Sequence, residues 1–207
     1  MLGAMMVSVA LSASGADLLD LAIERFSTVD SYRVTIRSSH AEGGEEIRYF
    51  YRKPGLIRME FVRPHAGAML IYNPSTQRVR LWPFGAGRFP ELNLSPGNLL
   101  IRSPRGQRVD HSDVGTLLNN VKALQRGGKL ESHDEETLAG RPVRYIDVSG
   151  TSDFAIAGVH RYQLWLDASS LFPVEVISRD LKNAIIETVH MDDAEINTPL
   201  PDTLFDP

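Results

Sequence analysis

Hydrophobic and polar residues alternate with a period of two along much of the stretch from Tyr32 to Trp82, the pattern of strands that bury one face. Tyr32 to Ser38 reads as a first strand, closed by a polar turn at Glu42-Gly43-Gly44-Glu45. From Tyr49 to Phe84 the chain reads as a meander of antiparallel strands. It is broken at Arg52-Lys53-Pro54-Gly55, Pro64-His65-Ala66-Gly67 and Asn73-Pro74-Ser75. Ile47, Tyr49 and Tyr51 share a face of one strand, Ile57, Met59 and Phe61 of the next, then Leu70 and Tyr72, then Val79 and Leu81. The opposite faces carry Arg48, Arg52, Arg58, Glu60, Arg78 and Arg80, which predicts a curved sheet with one wet side.

In two segments the period changes to that of a helix. In Asp17–Val29, Leu18, Leu21, Ala22 and Phe26 form a stripe that Leu19, Ile23 and Val29 widen. Asp17, Asp20 and Glu24 lie near its start, where the helix dipole favours acids. The second helix is capped by Ser112 or Asp113, carries Val114, Leu117, Leu118, Val121 and Leu124 on one face, and stops at Gly127-Gly128. Between them, Gly85 to Arg108 reads as a long loop. Gly85-Ala86-Gly87 is not a dinucleotide fingerprint, because Pro90 stands where the third glycine belongs and no helix follows.

Five further strands are expected at Lys129–Glu136, Thr137–Val148, His160–Asp167, Pro173–Asp180 and Ala184–Met191. The second of these bends at Gly140-Arg141-Pro142, and turns fall at Asp167-Ala168-Ser169-Ser170 and Lys182-Asn183. A proline-bounded tail from Asn197 to Pro207 has two anchors, Leu204 and Phe205.

Met1 to Ala16 is apolar and then small, with the length of a signal-peptide core and with Ser14 and Ala16 at the −3 and −1 positions of a cleavage site. It is too short to span a bilayer as a helix. No Lys or Arg precedes it, so the basic region of a signal is missing, as it would be if the start codon were placed too far downstream. The expectation is an exported, soluble, periplasmic protein with a single domain over residues 17–207. That length suffices for one sizeable core.

Charge is unevenly distributed. Between Arg48 and Arg108 eleven Lys/Arg stand against two acids, Glu60 and Glu91, whereas from Glu131 onward fifteen acids face five Arg/Lys. Halves of opposite sign within one fold are expected to pair with each other. No dense basic run interleaved with aromatics is present, which argues against nucleic acid as a partner. The absence of cysteine excludes disulfides, thiolate metal sites and cysteine nucleophiles.

Catalytic and metal patterns are likewise missing. The six histidines, at positions 40, 65, 111, 133, 160 and 190, form no HExxH, so no metal site and no cofactor is expected. There is no GxSxG, and Asp192 and Asp193 are adjacent in a strand, so they cannot act as an acid/base couple. A non-enzymatic protein is expected, with a hydrolase as the least favoured alternative.

The order of these elements resembles the superfamily of bacterial periplasmic lipoprotein carriers of the lipoprotein-localisation factor A and B (LolA-like) type, and an uncharacterised exported branch of it more closely. The residues that carry the resemblance are Tyr51-Arg52-Lys53-Pro54-Gly55, "LIRMEF", "AMLIYNP…RVRLWPF", and Gly115-Thr116-Leu117-Leu118 following Arg102-Ser103-Pro104. A C-terminal series adds Trp165-Leu166-Asp167, Phe172-Pro173-Val174 and Asp192 to Phe205. The resemblance implies an α+β fold, an incomplete antiparallel β-barrel (half-barrel) wrapped around amphipathic helices. It also implies an apolar cavity for acyl chains. In the carriers an Arg before the turn proline helps to latch a lid. Lys53 holds that position here, with Arg52 beside it, and a lysine offers a point charge without the bidentate geometry of a guanidinium.

On this basis the candidate cavity residues are Leu21, Phe26, Tyr49, Tyr51, Met59, Phe61, Leu70, Tyr72, Leu81, Leu117, Leu118, Val121, Leu164 and Leu166. The latch or anion candidates are Lys53, Arg52 and Arg58. The ligand expected is a lipid or the acyl group of a lipoprotein, carried by a monomer with transient membrane contact. An envelope sensor or protein-interaction module of the same fold is the alternative, motivated by the basic loop residues Arg102, Arg105 and Arg108. The same apolar residues could instead fill an ordinary core.

Overall fold

A computed structural model describes residues 15–41, 43–103 and 106–207. Of the expected signal segment, the first fourteen residues lie outside this range. The chain forms one antiparallel sheet of eleven strands among the described residues, in the order β6-β5-β4-β3-β2-β1-β11-β10-β9-β8-β7. The strands are β1 (Ser31–His40), β2 (Gly43–Arg52), β3 (Leu56–Arg63), β4 (Met69–Asn73), β5 (Arg78–Trp82), β6 (Leu92–Leu94), β7 (Gly128–Leu138), β8 (Arg141–Gly150), β9 (Arg161–Asp167), β10 (Pro173–Arg179) and β11 (Ile185–Ile196). The edge strands β6 and β7 do not pair, so the sheet curls without closing. Helices α1 (Gly15–Ser27) and α2 (Val114–Arg126) lie inside the curl, with their backbones against each other and against β7 and β8. The half-barrel expected from the sequence is the observed fold.

The period of two set the register. Tyr51 pairs with Tyr32 and Ile57, Tyr49 with Val34 and Met59, Ile57 with Tyr72, and Met59 with Leu70, so the apolar sets of neighbouring strands fall on one face. Turn chemistry fixes the ends. Leu138 pairs with Arg141 across Ala139 and Gly140, both at positive φ (51° and 81°), which is the two-residue hairpin whose twist matches that of the flanking strands. The expected boundary between Glu136 and Thr137 is therefore wrong: the strand runs on to Leu138. In the β9–β10 turn the Asp167 carboxylate accepts hydrogen bonds from the backbone and hydroxyl groups of both Ser169 and Ser170. Burial opposes its ionisation, but those bonds overcome the penalty and hold its pKa at about 2.

Helix α2 is capped by Asp113, whose carboxylate accepts from the Thr116 backbone N–H (3.1 Å) and its hydroxyl (2.7 Å). It crosses α1 closely at Gly115, where a Cβ would sit 2.7 Å from the Phe26 ring. At the other end, a Cβ on Gly128 would lie 2.2 Å from the Ser149 carbonyl oxygen, so α2 can turn straight into β7 only through glycine.

Arginines of β1, which precedes the basic stretch, pair with the acidic C-terminal half where β1 meets β11. Arg33 bonds Glu195 (2.6 Å) and Arg37 bonds Asp192. These exposed pairs contribute about 0–1 kcal/mol each.

One expectation about the sheet fails. Its outer side is not wet throughout, because the C-terminal tail folds back over β2–β5. There Phe205 is buried against Met69, Ile71 and Trp82, with Phe50, Leu56, Leu200 and Leu204 packed around them. Two further differences lie in the loops: Leu92–Leu94 forms an edge strand inside the expected long loop, and β11 extends to Ile196.

Candidate binding site

The inner face of the sheet gathers nearly all of the candidate cavity residues. Tyr49, Tyr51, Met59, Leu70, Tyr72, Leu118, Val121, Leu164 and Leu166 are all buried in one cluster with Leu18, Leu19 and Ala22 of α1. Phe26, Phe61, Leu81 and Leu117 are partly buried and pack against it. Leu21 does not belong: at 36% exposure it faces away from the interior. Its neighbours Leu18, Leu19 and Ala22 already fill the inward arc of the helix, which leaves position 21 outside.

Sequence reasoning left out the centre of this cluster. Tyr32 is 1% exposed and stacks on Tyr49 (5.8 Å) and Tyr51 (5.0 Å), with Phe26 and Phe172 edge-on. The available signal was its place on the same alternating face as Val34 and Ile36. Its hydroxyl accepts from the Val114 backbone N–H at the start of α2. Ser112 donates to the Val109 carbonyl, so the 3.2 Å contact between Tyr49 and Ser112 has the tyrosine as donor. Burial pushes the pKa of both phenols up, and they serve as neutral hydrogen-bonding groups that pin the start of α2 to the sheet.

The roof of the inner face is not uniform. The helix backbones lie against β7 and β8, whereas beside Tyr49 and Tyr72 the cover includes residues 95–103 and 106–113 of the segment between β6 and α2. Leu94, Ile101 and Val109 enter the core there, and Asp110 and Arg108 act electrostatically on Tyr72. Leu99 and Leu100 of the same segment are exposed. It is held by local bonds: Arg108 to Asp110 (2.6 and 2.9 Å), Gln107 to Ser103 and His111, and Arg102 to the Gly97 carbonyl. Arg102 and Arg108, two members of the expected basic loop, are thus engaged within the segment itself. Arg105 lies outside the described residues.

The latch candidates divide between two tasks. Lys53 donates to the Ser27 carbonyl at the end of α1 and lies 3.7 Å from Asp30. Arg52 and Arg58 point to the outer face and grip the tail: Arg52 reaches the Leu200 carbonyl (3.1 Å) and Asp202 (2.7 Å), with its guanidinium over the Phe205 ring (4.9 Å). Arg58 bonds the Leu204 carbonyl and Glu60, and Arg80 bonds Asp206 (2.7 Å) and Glu91 (2.7 Å). No lid over the cavity is latched by Arg52 or Arg58, because their strand parity puts them on the other side of the sheet. Beside the docked tail runs a groove of about 510 Å³, lined by Leu56, Asn73, Arg78 and Asn93 and by Asp202 and Asp206 of the tail itself.

Among the described residues no group of three His, Cys, Asp or Glu side chains is placed to hold a metal ion. No helix among them is long and apolar enough to cross a membrane.

Neither a protein-family model nor a curated protein matches the sequence. Solved structures do match the fold. An uncharacterized conserved protein from Thermus thermophilus aligns over 93% of this chain and 92% of its own, at 12% identity and a TM-score of 0.57. Lipoprotein LppX of Mycobacterium tuberculosis aligns over 91% and 99%, at 11% identity and a TM-score of 0.54. The chain shares its half-barrel fold with these two structures. A third half-barrel, in the Pseudomonas aeruginosa MucA/MucB complex, aligns over 93% of this chain at 17% identity and a TM-score of 0.57, and this chain spans 60% of that one.

Proposed function

We propose that this half-barrel is a non-enzymatic periplasmic binding protein, a monomer whose inner face over β2–β5 takes the acyl chain of a lipid or lipoprotein. The observation that carries the reading is the uneven roof. Ile101 and Val109 pack into the core on this side, where Arg108 and Asp110 act on Tyr72, so displacing residues 99–103 and 106–111 would uncover it while the helices stay packed on β7 and β8. A buried acyl chain gains about 0.8 kcal/mol per methylene, enough to offset the ordering costs of binding without any catalytic group. Phe61 and Leu81 lie at the margin of this face and are only partly buried, so polar side chains there leave the fold intact. Phe61→Gln and Leu81→Gln should weaken uptake of a fluorescent fatty acid by roughly tenfold while the melting temperature changes little. Unaltered uptake in both variants would remove the inner face from consideration.

Transient membrane contact has a structural basis at one rim. Strands alternate in direction, so the β3–β4, β5–β6, β8–β9 and β10–β11 connections leave from the same end of the sheet. That end exposes Phe84 (62%), Phe89 (92%), Phe154, Leu181 and Ile185, and its Arg88 and Lys182 have no ion-pair partner among the described residues. Exposed aromatic tips beside free cations suit an anionic bilayer surface. Co-sedimentation with phosphatidylglycerol/phosphatidylcholine vesicles should fall several-fold for the Phe84→Ser/Phe89→Ser double variant. A bound fraction equal to that of the parent chain would eliminate this rim.

The second reading, an envelope protein-interaction module, is favoured by the outer groove and its arginines rather than by the loop of residues 102–108.

A further inference from the structure

The groove on the outer face of β2–β5 already holds one peptide segment, and the chemistry of that contact is explicit. Arginines on β2, β3 and β5 take two backbone carbonyls and two carboxylates of the tail, and Phe205 supplies the apolar anchor. The tail leaves room beside it. The partly buried Leu56 floors the remaining groove, Ile71 beside it being covered by Phe205; Asn73, Asn93 and the tail's own Asp202 and Asp206 line its walls, and Arg78 lines it with no ion-pair partner among the described residues. Register puts Arg78 directly opposite Asn73, and Ile71 between Arg58 and Arg80, so apolar floor and cationic wall alternate along the groove as they do under the tail.

We infer that this groove binds a short acidic peptide segment of a partner protein, with a carboxylate on Arg78 and an apolar side chain against Leu56. The docked tail shows which chain chemistry the face accepts. The guanidinium of Arg78, unpaired among the described residues, supplies the charge complementarity, and the partly exposed Leu56 is continuous with the contact already made. Arginine suits this role because its fork takes carbonyl and carboxylate oxygens together. The inference rests on the protein-interaction reading and is independent of whether the inner face takes an acyl chain.

The test is fluorescence anisotropy on the full chain, with a fluorescein-labelled peptide of the sequence of residues 200–207 as probe and a second peptide with both Asp replaced by Asn. Saturable binding of the acidic peptide is expected, about tenfold weaker for the Asn peptide and for the Arg78→Ala chain. Arg78 is exposed and unpaired, so its removal leaves the melting temperature unchanged and any loss reads binding alone. No saturable signal, equal affinity for the Asn peptide, or equal affinity of the Arg78→Ala chain overturns the site. So does displacement by inorganic phosphate at a matching concentration, which would show general anion binding. Fatty-acid uptake, measured on the same preparations, fails or succeeds separately.

Discussion

Leu118→Gln is expected to destabilise the protein by on the order of 5 kcal/mol, through the methyl groups lost from a filled core and an amide buried without partners. Leu118 is 1% exposed and belongs to the single buried cluster that α1, α2 and the inner face of the sheet share. Total stabilities of domains run at about 5–15 kcal/mol, so the variant would retain little of its native state at moderate temperature. Urea denaturation followed by circular dichroism checks this, with a lower midpoint and an unchanged slope as the expected signature. A loss below about 1 kcal/mol would mean that water reaches the side chain and that the interior is open at this point. The sequence placed Leu118 among the candidate cavity residues. Its packing makes it a probe of stability and moves the useful binding probes outward to Phe61 and Leu81.

The second large effect belongs to the tail. Phe205→Ala should cost roughly 3 kcal/mol, the lower end of the range for a buried phenylalanine, because the outer cluster is small and part of it can collapse. Beyond that energy, the tail loses its anchor. Its remaining ties are the hydrogen bonds of Arg52 and Arg58 to the Leu200 and Leu204 carbonyls, the partly buried Leu200 and Leu204, and ion pairs to Asp202 and Asp206, whose side chains are 92% and 83% exposed and which hold little by themselves. Faster amide hydrogen exchange is therefore expected in β4 and β5, whose outer apolar residues Met69, Ile71 and Trp82 become uncovered. Unchanged exchange together with unchanged stability would show that the tail is a passive cover.

These two effects also mark how far each face could be read. The inner face was legible because alternation over Ile47 to Leu81 needs only the period of a strand, and the same holds for the helical stripe of Val114, Leu118 and Val121. Leu21 was misassigned because a wide stripe does not say which arc turns inward. Arg52 and Arg58 were recognised as special without their partners. Those partners lie nearly 150 residues away, in the tail, and no local pattern connects them.

Taken by itself, the sequence determined the antiparallel meander, the parity of its strands, the two amphipathic helices and most of the turns from local periodicity and turn residues, and the absence of thiol chemistry from composition. The half-barrel around enclosed helices came only as what the family resemblance implies. The tertiary structure alone decided that Tyr32 stands at the centre of the core, that the inner face is roofed partly by an irregular loop, and that the outer face is occupied by the chain's own tail. These depend on which distant surfaces meet when the sheet curls, and that is set by packing, to which the exposed charge pairs add little.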